Sequence, residues 1–155
     1  MSVTFDLREF EQAFDLLRAG LRNGAHQALV SAVKAAHESA RTTDLFKDGP
    51  DARLRRSIVM TIPEPLEGQI KAGGAGAPYA RFVESGTQPH DIRPKRATTL
   101  RFTVAGQVFF RRLVHHPGTA ERPFMARATA VGEQTLEYGL EYFSEKPIAT
   151  FNSGG

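Results

Sequence analysis

Two stretches decide how this chain is read: Pro78-Tyr79-Ala80-Arg81-Phe82-Val83-Glu84-Ser85-Gly86-Thr87 and, further on, His116-Pro117-Gly118-Thr119-Ala120-Glu121-Arg122-Pro123-Phe124-Met125. Each reads as a turn that delivers the chain into or out of a helix, and neither carries a catalytic pattern. In the first, proline stands in the opening turn of a short helix over Pro78–Ser85, Tyr79, Phe82 and Val83 form its apolar side, and Gly86 is placed to end it. In the second, Pro123 opens the last helix. Between them, Gln88–Ala97 holds two prolines and four charged residues and reads as an exposed loop. Thr98–Val104 and Gln107–Val114 then form a strand pair around Ala105-Gly106. Leu100, Phe102 and Val104 point one way on the first strand, and Val108 and Phe110 supply the partner's apolar positions. Ala-Gly is a weaker hairpin signal than Asn-Gly, so the turn type stays open.

Working outward, residues 6 to about 42 read as helix. Leu7, Phe10, Phe14, Leu17, Leu21, Ala25, Ala28, Ala32, Ala35 and Ser39 recur at spacings of three and four. Asp6 with Glu9 resembles a capping box. Gly20 and Asn23-Gly24 predict a kink or two abutting helices. The alanine half of the stripe lets another element approach closely, or lies against the domain's own sheet. Thr42–Arg53 is loop-like, with a turn cluster at Lys47–Asp51. Arg56–Ile62 alternates as a half-buried strand, Pro63-Glu64-Pro65 breaks it, and Leu66–Lys71 returns. Gly73-Gly74-Ala75-Gly76 reads as a flexible joint. The last helix predicts an inward stripe of Phe124, Ala128, Val131, Thr135, Tyr138 and Tyr142, and an outer ridge of Glu133, Glu137, Glu141 and Glu145. The class expected is α+β: an antiparallel sheet with a long N-terminal helix and a C-terminal helix packed on it. A single domain over 1–145 and a C-terminal tail over 146–155 complete the organisation.

At 155 residues and 41% hydrophobic content, the chain is long enough to bury a core. It has no cysteine, which excludes a disulfide framework, a thiolate metal site and a cysteine nucleophile. Met1-Ser2-Val3-Thr4-Phe5-Asp6 lacks the features of a signal peptide, and no apolar run reaches the roughly 20 residues of a membrane span. The expectation is a soluble chain in a cytoplasm, without a membrane partner. The formal charge of +3 argues little by itself, but its distribution is uneven. Arg93, Lys95, Arg96, Arg101, Arg111, Arg112 and Arg122 face one acid, Glu121, whereas Glu133–Glu145 holds four glutamates and no Lys or Arg. These are two solvated faces, or a basic surface on one subunit meeting an acidic one on the next.

Histidine comes closest to an enzymatic signal. His90-Asp91 and His115-His116 could serve a small metal-dependent nuclease or hydrolase, but adjacent strand histidines point to opposite faces and no ligand spacing matches. Ordinary turn histidines are the plainer account, and His26 and His37 receive no role. No nucleophile elbow, P-loop or dinucleotide fingerprint is present, and Gly73–Gly76 lacks the lysine of a phosphate cradle. No catalytic set and no cofactor are expected. A basic nucleic-acid module would use the arginines with Phe102, Phe109 or Phe110, although strand phenylalanines read first as core.

Tyr79–Thr87 resembles the Tyr-Ala-x-Phe-Val-Glu-x-Gly-Thr element of the head–tail joining, or tail-completion, proteins of long-tailed bacteriophages. His116–Met125 is similar to that family's His-Pro-Gly-Thr-x-x-x-Pro-Phe element, and Leu54-Arg55-Arg56-Ser57-Ile58 to its Leu-Arg-x-Ser-Ile stretch. Order and spacing agree over roughly residues 5 to 143. Where the family has Thr-Gly before the Leu-Arg pair, this chain has the longer Gly49-Pro50-Asp51-Ala52-Arg53. The motif positions are Tyr79, Phe82, Glu84, Gly86, Thr87, His116, Pro117, Gly118, Pro123 and Phe124. The resemblance implies a non-enzymatic virion protein of the neck, made in the host cytoplasm. It implies a ring of copies of itself, several related neck and terminator proteins being hexameric. Its partners would be head connector or stopper proteins and tail-tube or tail-terminator proteins, with genomic double-stranded DNA passing through the lumen unread. The subunit surfaces that such a ring needs are sought at Arg93, Lys95, Arg96, Arg111, Arg112, Glu133, Glu137 and Glu141, with Gln88–Ala97 as a further contact loop.

Overall fold

The computed structural model describes residues 7–42 and 51–153. Asp6 and the Lys47–Pro50 part of the expected turn lie outside them. The fold is α+β, with a long N-terminal helix and a C-terminal helix packed on it. Among the described residues the strands form three separate two-stranded antiparallel ribbons instead of one sheet. The chain divides into two compact units, Tyr79–Pro123 and the residues on either side of it.

The larger unit is built on α1 (Arg8–Arg41) and α4 (Phe124–Asn152). Helix α1 is one continuous helix through Gly20 and Gly24, not two abutting ones, and both glycines serve the seam with α4. A Cβ on Gly20 would meet Pro147 Cβ at 2.9 Å, one on Gly24 the Phe143 carbonyl oxygen at 2.8 Å, and one on Gly139 the Ala28 Cβ at 2.9 Å. A Cβ on Gly132 would stand 3.0 Å from Ala36 Cβ. The pairings descend one helix as they climb the other, so the helices are antiparallel and nearly touch backbone to backbone. Gly24, Ala28, Ala32, Ala36 and Ala40 are the buried small residues of α1, and Ala128, Gly132 and Gly139 those of α4.

This corrects two expectations. The inward stripe of α4 runs through its glycines, while Val131, Tyr138 and Tyr142 are exposed. Residues 146–152 are helix and not tail, for α4 continues through Pro147 to Asn152. A proline inside a helix removes the N–H that would bond to the carbonyl four residues back, here Phe143. That carbonyl faces Gly24, so the glycine leaves room where the helical bond is missing. Toward the start of α1 the large residues Leu7, Phe10, Phe14 and Leu16 are exposed, with Phe10 edge-on to Phe151 at 6.3 Å.

Asp51–Ser57, expected in part as loop and in part as strand, forms a short helix α2, and β1 (Val59–Glu64) and β2 (Glu67–Lys71) follow. Pro63 does not end β1; the strand passes it with a register shift between Thr61 and Glu64. Among the described residues Leu54, Ile58 and Phe124 are the largest fully buried side chains. The glycine joint is ordered as a 3-10 turn over Gly74–Gly76, with the Gly73 N–H bonded to Ser57 Oγ at 2.9 Å. Two histidines of α1 hold the β1–β2 hairpin at either end of β1. His26 Nδ1 donates to the Pro65 carbonyl (2.6 Å) and His37 Nε2 to the Ile58 carbonyl (3.2 Å). Each bond is worth about 1 kcal/mol net. The double variant His26→Ala/His37→Ala is therefore expected to lose about 2 kcal/mol in urea unfolding with both helices retained. No loss would mean that side-chain packing alone seats the hairpin.

Candidate functional site

The smaller unit is an excursion of the chain in which the two motif stretches pair with each other. Helix α3 (Ala80–Ser85) ends at Gly86, whose φ of 67° and ψ of −172° are open to glycine almost alone. The next residue, Thr87, forms an antiparallel bridge with Thr119. Thr87 N–H donates to Thr119 O at 3.0 Å, Thr119 N–H returns a bond to Thr87 O at 3.1 Å, and the two hydroxyls lie 3.1 Å apart. Gly118, at φ 87°, precedes Thr119 as Gly86 precedes Thr87. A Cβ on Gly86 would come within 2.5 Å of Thr119 O, and one on Gly118 would overlap Thr87 O. The two Gly-Thr pairs thus close face to face, at a separation that any side chain on either glycine would prevent. Arg122 N–H adds a bond to Val83 O at 2.9 Å, which supplies a donor to a last-turn carbonyl of α3.

The ribbon continues in the same register. β3 (His90–Ile92) pairs with β6 (Val114–His116), with His90 opposite His116 and Asp91 opposite His115. Part of the Gln88–Ala97 stretch is therefore strand, not loop. Pro89 and Pro117 interrupt the ladder because neither offers an N–H. Histidines bridge the gap: Gly118 N–H donates to His116 Nδ1 at 3.0 Å, and His90 Nδ1 donates to Gln88 O at 2.8 Å. Their rings stack at 5.1 Å. His115 Nδ1 meets Asp91 Oδ1 at 2.5 Å, with both side chains well exposed. The four residues proposed for a metal are thus parted into two pairs, and neighbouring strand positions face opposite ways. Among the described residues no group of three or more His, Asp or Glu is placed to hold an ion.

β4 (Leu100–Val104) and β5 (Gln107–Arg111) form a hairpin beyond this ribbon. Ala105 and Gly106 have φ of 48° and 82°, the positive values of a two-residue type I′ turn. Such a turn fixes register: Phe102 lies opposite Phe109, and Leu100 opposite Arg111. Val108 and Phe110 therefore fall on the other face, across from Thr103 and Arg101, which corrects the expected core face. Phe102 and Phe109 stack half-buried at 5.9 Å, with the Arg111 guanidinium 5.7 Å above Phe109, whereas Phe110 is 56% exposed.

Of the expected surface residues, Arg93, Lys95 and Arg96 are exposed in the 93–99 loop, and Arg111 and Arg112 at the hairpin's base. Glu133, Glu137, Glu141 and Glu145 are exposed along α4. Among the described residues none of the four glutamates forms an ion pair. Of the motif residues, Tyr79 is half-buried and its carbonyl receives the Phe82 and Val83 N–H groups. Phe82, expected on the apolar side of its helix, is 46% exposed under the Arg81 guanidinium. Glu84 and Pro123 are half-buried, and Phe124 is fully buried at the start of α4. Sequence reading passed over Thr119 and the Arg101–Phe110 pair. The repeated Gly-Thr dipeptide was the available signal for the first. No protein-family model, curated protein or solved structure matches this chain.

Proposed function

We propose that this chain is a non-enzymatic structural protein of the neck of a long-tailed phage, which completes the tail end and joins it to the head connector as a ring around the DNA channel. The observation that carries the reading is the clasp. The residues on which the resemblance rests, Gly86-Thr87 and His116-Pro117-Gly118, are the ones that close the Thr87–Thr119 bridge. A motif spent on backbone geometry suits a part whose work is shape. Unpaired surfaces of opposite sign on the two units suit a head-to-tail contact repeated around an axis.

The test is genetic and structural. Removing the gene from its phage is expected to leave filled heads and finished tails unjoined in lysates, with joining restored by the wild-type chain. Mass spectrometry of purified virions should find the polypeptide. Virions that lack it would end the proposal, as would divalent-metal-dependent DNA cleavage abolished by His115→Ala/His116→Ala, which would select the nuclease.

A further inference from the structure

We propose that the outer face of the β4–β5 hairpin docks on the outer face of α4 in a second copy of this chain. It rests on the self-assembly part of the reading above, but not on a place in the virion. The hairpin face carries Arg101, Thr103, Val108 and Phe110, set by the register Arg101↔Phe110 and Thr103↔Val108. Val108 and Phe110 are 45% and 56% exposed on it. On α4, Tyr138 and Tyr142 stack at 6.2 Å and are 69% and 60% exposed. Glu141 and Glu145 stand three residues beyond each tyrosine, and so beside them on the helix surface.

The two faces match in spacing and in sign. Alternate residues on a strand lie about 7 Å apart, and residues four apart on a helix about 6 Å apart. Val108 and Phe110 can therefore cover Tyr138 and Tyr142 together, which brings Arg101 to the glutamates. Duplex DNA is the weaker occupant. This face offers one cation beside two apolar side chains, and Arg111 sits on the opposite face over Phe109. Because the two faces belong to different parts of the chain, each copy gives one and receives one, and the contact repeats from copy to copy, in a ring where its rotation closes and in a filament where it does not.

The chain has no cysteine, so single cysteines report cleanly. Val108→Cys protein mixed with Tyr138→Cys protein is expected to give a crosslinked dimer with a short bismaleimide that neither gives alone. Arg101→Glu in the first chain, or Glu141→Lys in the second, is expected to cut the yield about tenfold by placing like charges together. Combining the two reversals should restore it, an outcome that misfolding cannot produce. No mixed dimer, or reversals that fail to compensate, overturns the contact. A crosslink seen only with added duplex DNA, lost with Arg101→Glu whatever stands at 141, would assign the hairpin to nucleic acid instead. Crosslinking by this pattern in a protein absent from virions would keep the contact and remove the neck role.

Discussion

Gly118→Ala is expected to open the clasp of residues 79–123, whereas Gly106→Ala in the same unit is expected to be tolerated. Both glycines have positive φ, 87° and 82°, so alanine at either suffers the same left-handed backbone penalty, about 1–2 kcal/mol. They differ in what a Cβ would meet. At Gly106 nothing lies within 4 Å, but at Gly118 the methyl would overlap the Thr87 carbonyl and stand 3.0 Å from the Gln88 carbonyl carbon. The bridge holds its rails by two backbone bonds at 3.0 and 3.1 Å, and relieving the overlap requires stretching them. Overlap and lost bonds add roughly 2–3 kcal/mol to the dihedral penalty. Hydrogen exchange should show this as lost protection at Thr87 and Thr119 in Gly118→Ala, with α1 and α4 still protected. Gly106→Ala should keep both amides slow. Equal effects of the two would mean that backbone strain alone matters and that the close approach of the Gly-Thr pairs does not.

The contrast between these glycines also shows where sequence was readable. Gly86 was legible as a helix terminator because Tyr79–Ser85 precedes it with helical spacing. That Gly86-Thr87 meets Gly118-Thr119 was not, since the threonines lie 32 residues apart and neither flank alternates like a strand. The long helices were legible from period, and the α+β class followed. The seam between them was misread because a periodicity count gives glycine no weight, so Tyr138 and Tyr142 were turned inward in place of Gly132 and Gly139. The alanine stripe of α1 held the missing information: small residues on one helix leave the other close enough to require small residues too. On the hairpin, the two-residue turn at Ala105-Gly106 was legible, but the apolar residues of the second strand were matched to those of the first without carrying the pairing across it, which sets Phe109 opposite Phe102 and Val108 and Phe110 on the other face.

At the seam, Gly139→Ala is expected to destabilise the helix pair even though alanine is the better helix former. Replacing glycine inside a helix gains about 1 kcal/mol from propensity alone. Against this, the new methyl would sit 2.9 Å from Ala28 Cβ and 3.0 Å from Ala28 Cα. Neither atom can rotate away, so the helices must separate along a seam whose attraction comes from close backbone contact and decays steeply with distance. Overpacking of this kind costs about 1–3 kcal/mol, which leaves Gly139→Ala less stable by about 1 kcal/mol and Gly139→Leu close to unfolded. Ala28→Gly in the Gly139→Ala background removes the nearer of these two atoms, the Cβ, and should recover part of the stability although it adds another glycine to a helix. Ala28→Gly alone should destabilise by about 1 kcal/mol through lost propensity. The sign of the coupling between the two positions, measured by urea unfolding of the four proteins, separates the explanations. A favourable coupling above about 1 kcal/mol means the helices are held at contact distance by these two residues. Additive effects, or a Gly139→Ala protein more stable than wild type, would mean that the seam has slack and that propensity governs it.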